Sequence, residues 1–377
     1  MESEVIINKP KMIELLSEMS STQDLPTLRK QLFQLREDIS STTDDVDGVL
    51  NIDTNGEAFS ISQKYLVKEI QQIEKTQTIE RAKYYLSRLV KAISETKTSK
   101  INEINLNRWK EYDNILTDSL WILQKRDTSG PHSSWYWGNF IPQIPHQLML
   151  RYTKKDDWVI DPFAGSGTTL LECQRLGRNG LGVELQPEIA LKATGLLKMG
   201  WRSATEDLFS ESFPTNHSAE KVKTIIEVGD STEVDFVKLL RTHGAKSAQL
   251  LILHPPYYDI IKFSKDPKDL SNAGSTEAFI EMFGKVVSNT FPVLEKGRYL
   301  AVVIGDKYSK GEWIPLGFML MNEVLKHGYI LKGIIVKNFE ETLAKRNQKE
   351  LWRYRALVGG FYIFKHEYIL LFKKVSR

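Results

Sequence analysis

The chain has 377 residues, a formal net charge of +3 and one cysteine. That length supports one large core with an appendage. The lone cysteine excludes an intrachain disulfide and suits a reducing compartment. The longest apolar runs fall far short of the ~18 residues a membrane span needs, and the start, MESEVIINKPK, lacks the basic-then-apolar order of a signal peptide. A cytoplasmic protein without membrane association is therefore expected. Charge is unevenly spread: residues 1–60 carry 5 Lys/Arg against 12 Asp/Glu, and residues 329–377 carry 11 against 4. A basic end of this kind suits phosphate contact, or forms a solvated face.

In chain order, residues 1–115 read as helical. Leu66, Ile70 and Ile73 recur at helical spacing, as do Ala82, Leu86, Leu89 and Ile93. Ser40 to Asn55, rich in Ser, Thr, Asp and Asn, reads as a loop. From 118 to 153 the chain is dense in Trp, Gly and Pro, and it turns helical from Pro145 to Tyr152. Strand patterns then fall at 158–161, 181–184, 224–228, 249–253, 298–304, 329–337 and 361–373. Helical patterns at 168–176, 187–199, 233–242, 277–291 and 315–326 separate them. Such alternation argues an α/β domain over 116–377 with a doubly wound, mostly parallel sheet.

Two stretches carry chemistry. Asp161 to Thr169 read DPFAGSGTT, between the apolar run Trp158-Val159-Ile160 and the helical Leu170-Leu171-Glu172-Cys173. This is a strand, a glycine turn and a helix start. Gly165 and Gly167 let the backbone bend sharply and lie close to a ligand. Amides at the helix start point outward. The third glycine of the dinucleotide pattern is missing, because Leu170 takes its place. Cys173, among leucines, reads as a core residue. Glu184 ends the next strand, where an acidic side chain accepts ribose hydroxyls. Leu253 to Tyr257 read LHPPY after the apolar run Leu250-Leu251-Ile252. Open α/β sheets bind ligands at the carboxyl ends of their strands, so a nucleoside-type cofactor and a planar substrate would meet there.

DPFAGSGTT resembles the S-adenosylmethionine motif of amino-methyltransferases acting on DNA. HPPY is similar to their catalytic motif, in which Asp, Asn or Ser precedes Pro-Pro and an aromatic. The resemblance covers roughly residues 120 to 374. It implies a Rossmann-like fold with a seven-stranded sheet whose last strand, within 361–373, is antiparallel. It also implies methyl transfer to adenine N6 or cytosine N4. On the cofactor side it assigns Asp161, Pro162, Phe163, Gly165, Ser166, Gly167, Thr168, Glu184 and Asp230. Phe140, Ile141 and Pro142 join them from the segment GNFIPQIPHQLMLRYT, which is similar to the motif covering the methionine end. No metal is implied.

On the catalytic side the resemblance assigns His254, Pro255, Pro256 and Tyr257. A base amine is a poor nucleophile because its lone pair is delocalised into the ring. Acceptors for its hydrogens localise that pair, and proline carbonyls are well suited because proline fixes φ. Tyr257 offers a stacking face for a base flipped out of double-stranded DNA. The departure is His254, which accepts only when neutral. At the ordinary histidine pKa of ~6.5, activity would rise between about pH 6 and 7.5.

Candidate DNA contacts are Lys262, Lys265 and Lys268 in the loop 258–275. Lys345, Arg346, Lys349 and Arg353 of the segment 338–358 join them, with Trp352 and Tyr354 interleaved for stacking. The reading is a site-specific DNA methyltransferase of a restriction-modification or defence system, with a restriction or defence partner. Three alternatives stay open: a catalytically silent nucleic-acid-binding subunit, an RNA amino-methyltransferase, and a nicotinamide oxidoreductase.

Overall fold

The structure is a computed structural model that describes residues 4–41, 49–50, 57–123, 125–133, 135–201, 222–339 and 349–375. It divides into two compact units, Met1–Asn114 and Ile115–Arg377. Among the described residues no helix is long and apolar enough to cross a membrane.

The first unit packs four helices, α1 (Lys9–Ser21), α2 (Leu25–Ser41), α3 (Gln63–Glu74) and α4 (Ile79–Ser94). All four begin on side-chain caps: Asn8, Asp24, Ser62 and Thr78 each accept a backbone N–H of the first turn. Leu66, Ile70 and Ile73 of α3 share one core with Ala82, Leu86, Leu89 and Ile93 of α4. The unit also holds an antiparallel pair, β1 (Glu4–Asn8) and β2 (Ala58–Ser62), absent from the helical reading. Five-residue strands are too short for their alternation to stand out beside long helices.

Among the described residues, the second unit is built on an eight-stranded sheet. In chain order its strands are β3 (Leu120–Trp121), β4 (Trp158–Asp161), β5 (Asn179–Glu184), β6 (Thr224–Val228), β7 (Ala248–Leu253), β8 (Leu294–Ile304), β11 (Tyr329–Asn338) and β12 (His366–Lys374). Across the sheet they run β3-β11-β12-β8-β7-β4-β5-β6. A small hairpin, β9 (Lys307–Ser309) and β10 (Glu312–Ile314), stands apart. The seven expected strands are present, and β12 is antiparallel to both neighbours. The count of seven is corrected to eight because β3 pairs parallel with β11. Two residues leave no periodic signal, although Trp121 is buried.

Central strand β7, AQLLIL, is buried along its whole length. Leu251 and Leu253 enter the core on one face; Leu250 and Ile252 enter the core on the other. An unbroken apolar run is what a strand covered on both faces requires. The helices are α5 (Gln143–Tyr152), α6 (Thr168–Leu176), α7 (Pro187–Met199), α8 (Phe236–Thr242), α9 (Thr276–Thr290), α10 (Leu316–Lys326) and α11 (Lys349–Gly359). Strand β4 pairs with β5 on one side and β7 on the other, so the winding reverses there. The carboxyl ends of β4 and β7 flank that crevice, the general ligand position in such sheets.

Candidate active site

The turn after β4 is held from inside. The Asp161 carboxylate accepts the Phe163 N–H at 2.9 Å and the Thr169 hydroxyl at 2.5 Å. Its burial pushes the pKa up to about 6. Gly165 and Gly167 have φ of +49° and +81°, the left-handed region glycine tolerates. The Pro162 carbonyl accepts the Ser231 hydroxyl at 2.6 Å, and Phe163 packs on the core. Ser166 and Thr168 are buried, and the Thr168 hydroxyl donates to Asn139 Oδ1 at 2.6 Å.

The missing third glycine has a steric replacement. In dinucleotide folds that residue lets the helix pack closely on the strand. Here Leu170 fills the helix position and β5 supplies the space. A Cβ at Gly182 would lie 2.8 Å from Ala164 Cβ and 3.1 Å from Leu170 Cδ1. A Cβ at Gly180 would meet Cys173 and Leu170 at 3.1 and 3.3 Å. Cys173 is buried in the core, and burial raises its pKa.

Glu184, at the end of β5, closes the far side of the turn. Its carboxylate accepts the Gly165 N–H at 2.9 Å and the Gln186 N–H at 3.0 Å. Burial raises its pKa, against those two hydrogen bonds. Asp230 accepts the amide and hydroxyl of Thr232, both at 2.8 Å. It also faces Lys268 Nζ at 3.8 Å, while that ammonium donates to Glu233 at 3.0 Å. The loop 258–275 thereby reaches the cofactor strands. Its Phe263 stacks on Tyr136 with ring centroids 5.7 Å apart. Tyr136 in turn lies against Gly165, where a Cβ would come within 3.0 Å of the ring. Sequence reasoning missed Tyr136 and Asn139, which sit among irregular residues where no period marks a face.

At the end of β7, His254 packs its ring 4.7 Å from that of Phe140. Phe140 and Asn139 are adjacent in the chain, so one short segment touches the catalytic motif and the glycine turn together. Ile141 packs on the same core as Phe140, and Pro142 caps α5. His254 Nε2 lies 3.4 Å from the Tyr257 hydroxyl. That hydroxyl donates to Glu367 Oε2 at 2.8 Å, and Lys337 donates to Glu367 Oε1 at 2.9 Å. One edge of the Tyr257 ring rests on Gly305, where a Cβ would come within 2.7 Å.

The expected histidine pKa is corrected. Burial holds His254 down at about 4, with Glu367 and Lys337 as smaller opposed influences. The imidazole is thus neutral throughout the range in which activity was expected to rise. Burial raises the Tyr257 pKa well above its usual value, and Glu367 adds to the shift. Pro255 is buried and Pro256 partly so. Tyr258, the residue after the motif, has φ of +53°, a strained conformation for a bulky side chain. Lys337 and Glu367 were not picked out in the sequence because one charge in a strand reads as an outward-facing residue.

The candidate DNA contacts differ in availability. Lys262 donates to the Ser271 carbonyl at 2.7 Å and so ties its own loop, whereas Lys265 is exposed. Lys345 and Arg346 lie outside the described residues, and Lys349 opens α11 with its side chain outside them. On α11 Arg353 is exposed, and the Arg355 guanidinium lies 5.2 Å from the Trp352 ring centre.

Behind the turn, Glu172 of α6 is fully buried. It accepts from His132 Nε2 at 2.6 Å and His146 Nδ1 at 2.7 Å, with Arg175 at 3.4 Å. Burial pushes its pKa up, but the two histidine bonds and nearby positive charge outweigh that and leave it lowered. This cluster pins the segment before α5 to the helix that starts at the glycine turn.

Comparison with known proteins places this geometry. Residues 31–194 match the family model described as DNA methylase, a span that includes the glycine turn and Glu184 and ends before β7. The type II methyltransferase M.MjaII of Methanocaldococcus jannaschii is 44% identical over 52 residues, 14% of this chain and 10% of that protein. M.HindIII of Haemophilus influenzae is 39% identical over 87 residues, 22% of this chain and 26% of that protein. The chain thus spans only 10% and 26% of the length of these two curated relatives. A solved S-adenosylmethionine-dependent methyltransferase from Methanosarcina mazei is similar at 14% identity, over 59% of this chain and 94% of that one, with a TM-score of 0.35. Residues 31–194 are thus similar to the DNA methylase family, and the curated relatives matched by shorter stretches are type II methyltransferases.

Proposed function

We propose that this protein methylates the exocyclic amine of a base in double-stranded DNA, adenine N6 or cytosine N4, within a restriction-modification or defence system. The observation that carries the reading is the pair Asn139 and Phe140. The first binds Thr168 at the glycine turn and the second packs on His254, so the two motifs form one site.

S-adenosylmethionine, when bound, supplies a methyl group activated by a sulfonium. The residues present fit it: two glycines at positive φ shape the turn after β4, and two buried carboxylates flank it. Asp161 would accept from the cofactor's ammonium and Glu184 from its ribose hydroxyls, with Phe140 at the methionine end and Asp230 at the adenine. On the other side, His254 and the Pro255 carbonyl accept the hydrogens of the target amine. That draws the nitrogen towards sp³ geometry and localises its lone pair. Tyr257 supplies the ring against which the flipped base stacks. Lys265, Arg353 and the basic residues around them contact phosphates.

The test is to digest DNA from cells expressing the protein and to analyse its nucleosides by mass spectrometry. N6-methyladenine or N4-methylcytosine should appear with the parent and be absent with His254→Ala. Neither base in the parent's DNA would return the protein to the silent-subunit or RNA alternatives.

A further inference from the structure

Histidine at the first motif position poses a problem that a carboxylate, amide or hydroxyl does not. Each of those groups has an oxygen that accepts without any choice of tautomer. A neutral imidazole has one accepting nitrogen, and which one depends on the tautomer. Something in the site must choose.

The choice is legible in the hydrogen bonds around Tyr257. Lys337 on β11 and Glu367 on β12 are directly opposed partners in the antiparallel ladder. Their side chains are 6% and 11% exposed, and the ammonium donates to one carboxylate oxygen at 2.9 Å. The other carboxylate oxygen accepts the Tyr257 hydroxyl at 2.8 Å, an ordinary length for an O–H···O hydrogen bond. A phenol has one proton, and this bond uses it. Towards His254 Nε2, 3.4 Å away, the phenol oxygen presents only lone pairs. The distance is long, but its polarity is fixed. Nε2 must carry the hydrogen.

We propose that Glu367 is a positioning residue: through the Tyr257 hydroxyl it holds the His254 proton on Nε2 and leaves Nδ1 as the nitrogen that accepts from the target amine. The proposal rests on the methyl-transfer reading for the role of Nδ1, while the tautomer itself stands on the geometry alone. It gives Tyr257 a second task beside stacking. It also gives the buried Lys337–Glu367 pair a task, since such a pair is by itself weak evidence for stability.

The experiment is nitrogen NMR on protein labelled with ¹⁵N-histidine, with the His254 ring assigned by difference from His254→Gln. The parent should show the Nε2–H tautomer. Glu367→Gln can donate its amide to the phenol oxygen and let the phenol donate to Nε2, so the signal should move towards Nδ1–H. Tyr257→Phe leaves the Lys337–Glu367 pair intact and should abolish the preference, which keeps the test valid if Glu367→Gln folds poorly. In both variants kcat for DNA methylation should fall by roughly tenfold or more, with cofactor affinity near the parent's. An Nδ1–H tautomer in the parent, or the same tautomer in all three proteins, would overturn the proposal. A parent that shows the shift pattern but methylates no DNA would overturn the acceptor role and the function reading, and leave the relay standing.

Discussion

The Glu184 carboxylate at the end of β5 takes the Gly165 N–H at 2.9 Å, so one strand fixes the turn built at the end of its neighbour. A hydrogen bond to a charged group contributes about 1.5–3 kcal/mol. Glu184→Ala removes this bond and the one to Gln186. It should lower the unfolding temperature and weaken S-adenosylmethionine binding by about tenfold or more. Glu184→Gln should recover part of the stability and less of the affinity. Calorimetric titration beside thermal unfolding separates the two, and full affinity in the alanine variant would remove Glu184 from the cofactor site.

Asp161 sets a pH dependence with opposite signs for binding and folding. Its burial raises the folded pKa to about 6, above the ~3.9 of an unfolded chain. Between those values the folded state binds more protons, so the stability contributed by Asp161 increases as pH falls from about 6 to 4. The cofactor's ammonium needs the ionised form, so affinity should fall over the same interval, by up to about tenfold per pH unit. Asp161→Asn should flatten both curves. Affinity and stability falling together would show that another group controls them.

For His254 the expected profile is flat. A pKa of about 4 keeps the imidazole neutral above pH 5, so it contributes no rise in kcat between pH 6 and 7.5. His254→Ala should abolish methyl transfer with cofactor affinity unchanged. A kcat profile of the parent with an acid limb near 6.5 would show that the ring titrates normally.

Glu172 is the structural counterpart. Removing one partner from a buried ionic cluster costs about 3–5 kcal/mol. Glu172→Ala, which strands His132 and His146, should show a loss of that order in urea unfolding at pH 7.5. Its folded pKa is depressed, so its contribution is complete above the ordinary carboxylate range and disappears as pH falls through the folded value. An alanine variant as stable as the parent would mean that the two histidines find other partners.

Lys265 and Arg353 are exposed in the two segments assigned to DNA. Each phosphate contact contributes a slope of roughly −0.9 in log K against log salt. Lys265→Ala with Arg353→Ala should flatten the slope by up to ~1.8 with cofactor binding unchanged. An unchanged slope would move the DNA face elsewhere on the protein.

Much of this was legible because the period of the residues matched the period of the element. The helical spacing of Ala82, Leu86, Leu89 and Ile93 marked a buried face, and the apolar run before His254 marked a strand. The glycine turn announced its own geometry. What escaped was of two kinds. The five-residue β1 and β2 run directly into long helices, and the two-residue β3 offers too few positions for alternation to register. Partnerships across distant segments leave no local trace: Glu367 meets Tyr257 from 110 positions away, and Glu172 meets His132 from 40. The His254 pKa was misjudged for the same reason, since the burial around it comes from residues far away in the chain.

The close approach of α6 to β5 has a consequence for how this turn tolerates change. Leu170 on the helix and Gly180 and Gly182 on the strand share one space, and only its total bulk is constrained. Enlarging Gly182 alone drives a methyl into Ala164 and Leu170, whereas trimming Leu170 alone opens a cavity beneath the turn. A transfer of volume from helix to strand would offset part of each loss, so the three positions are one variable written in two places.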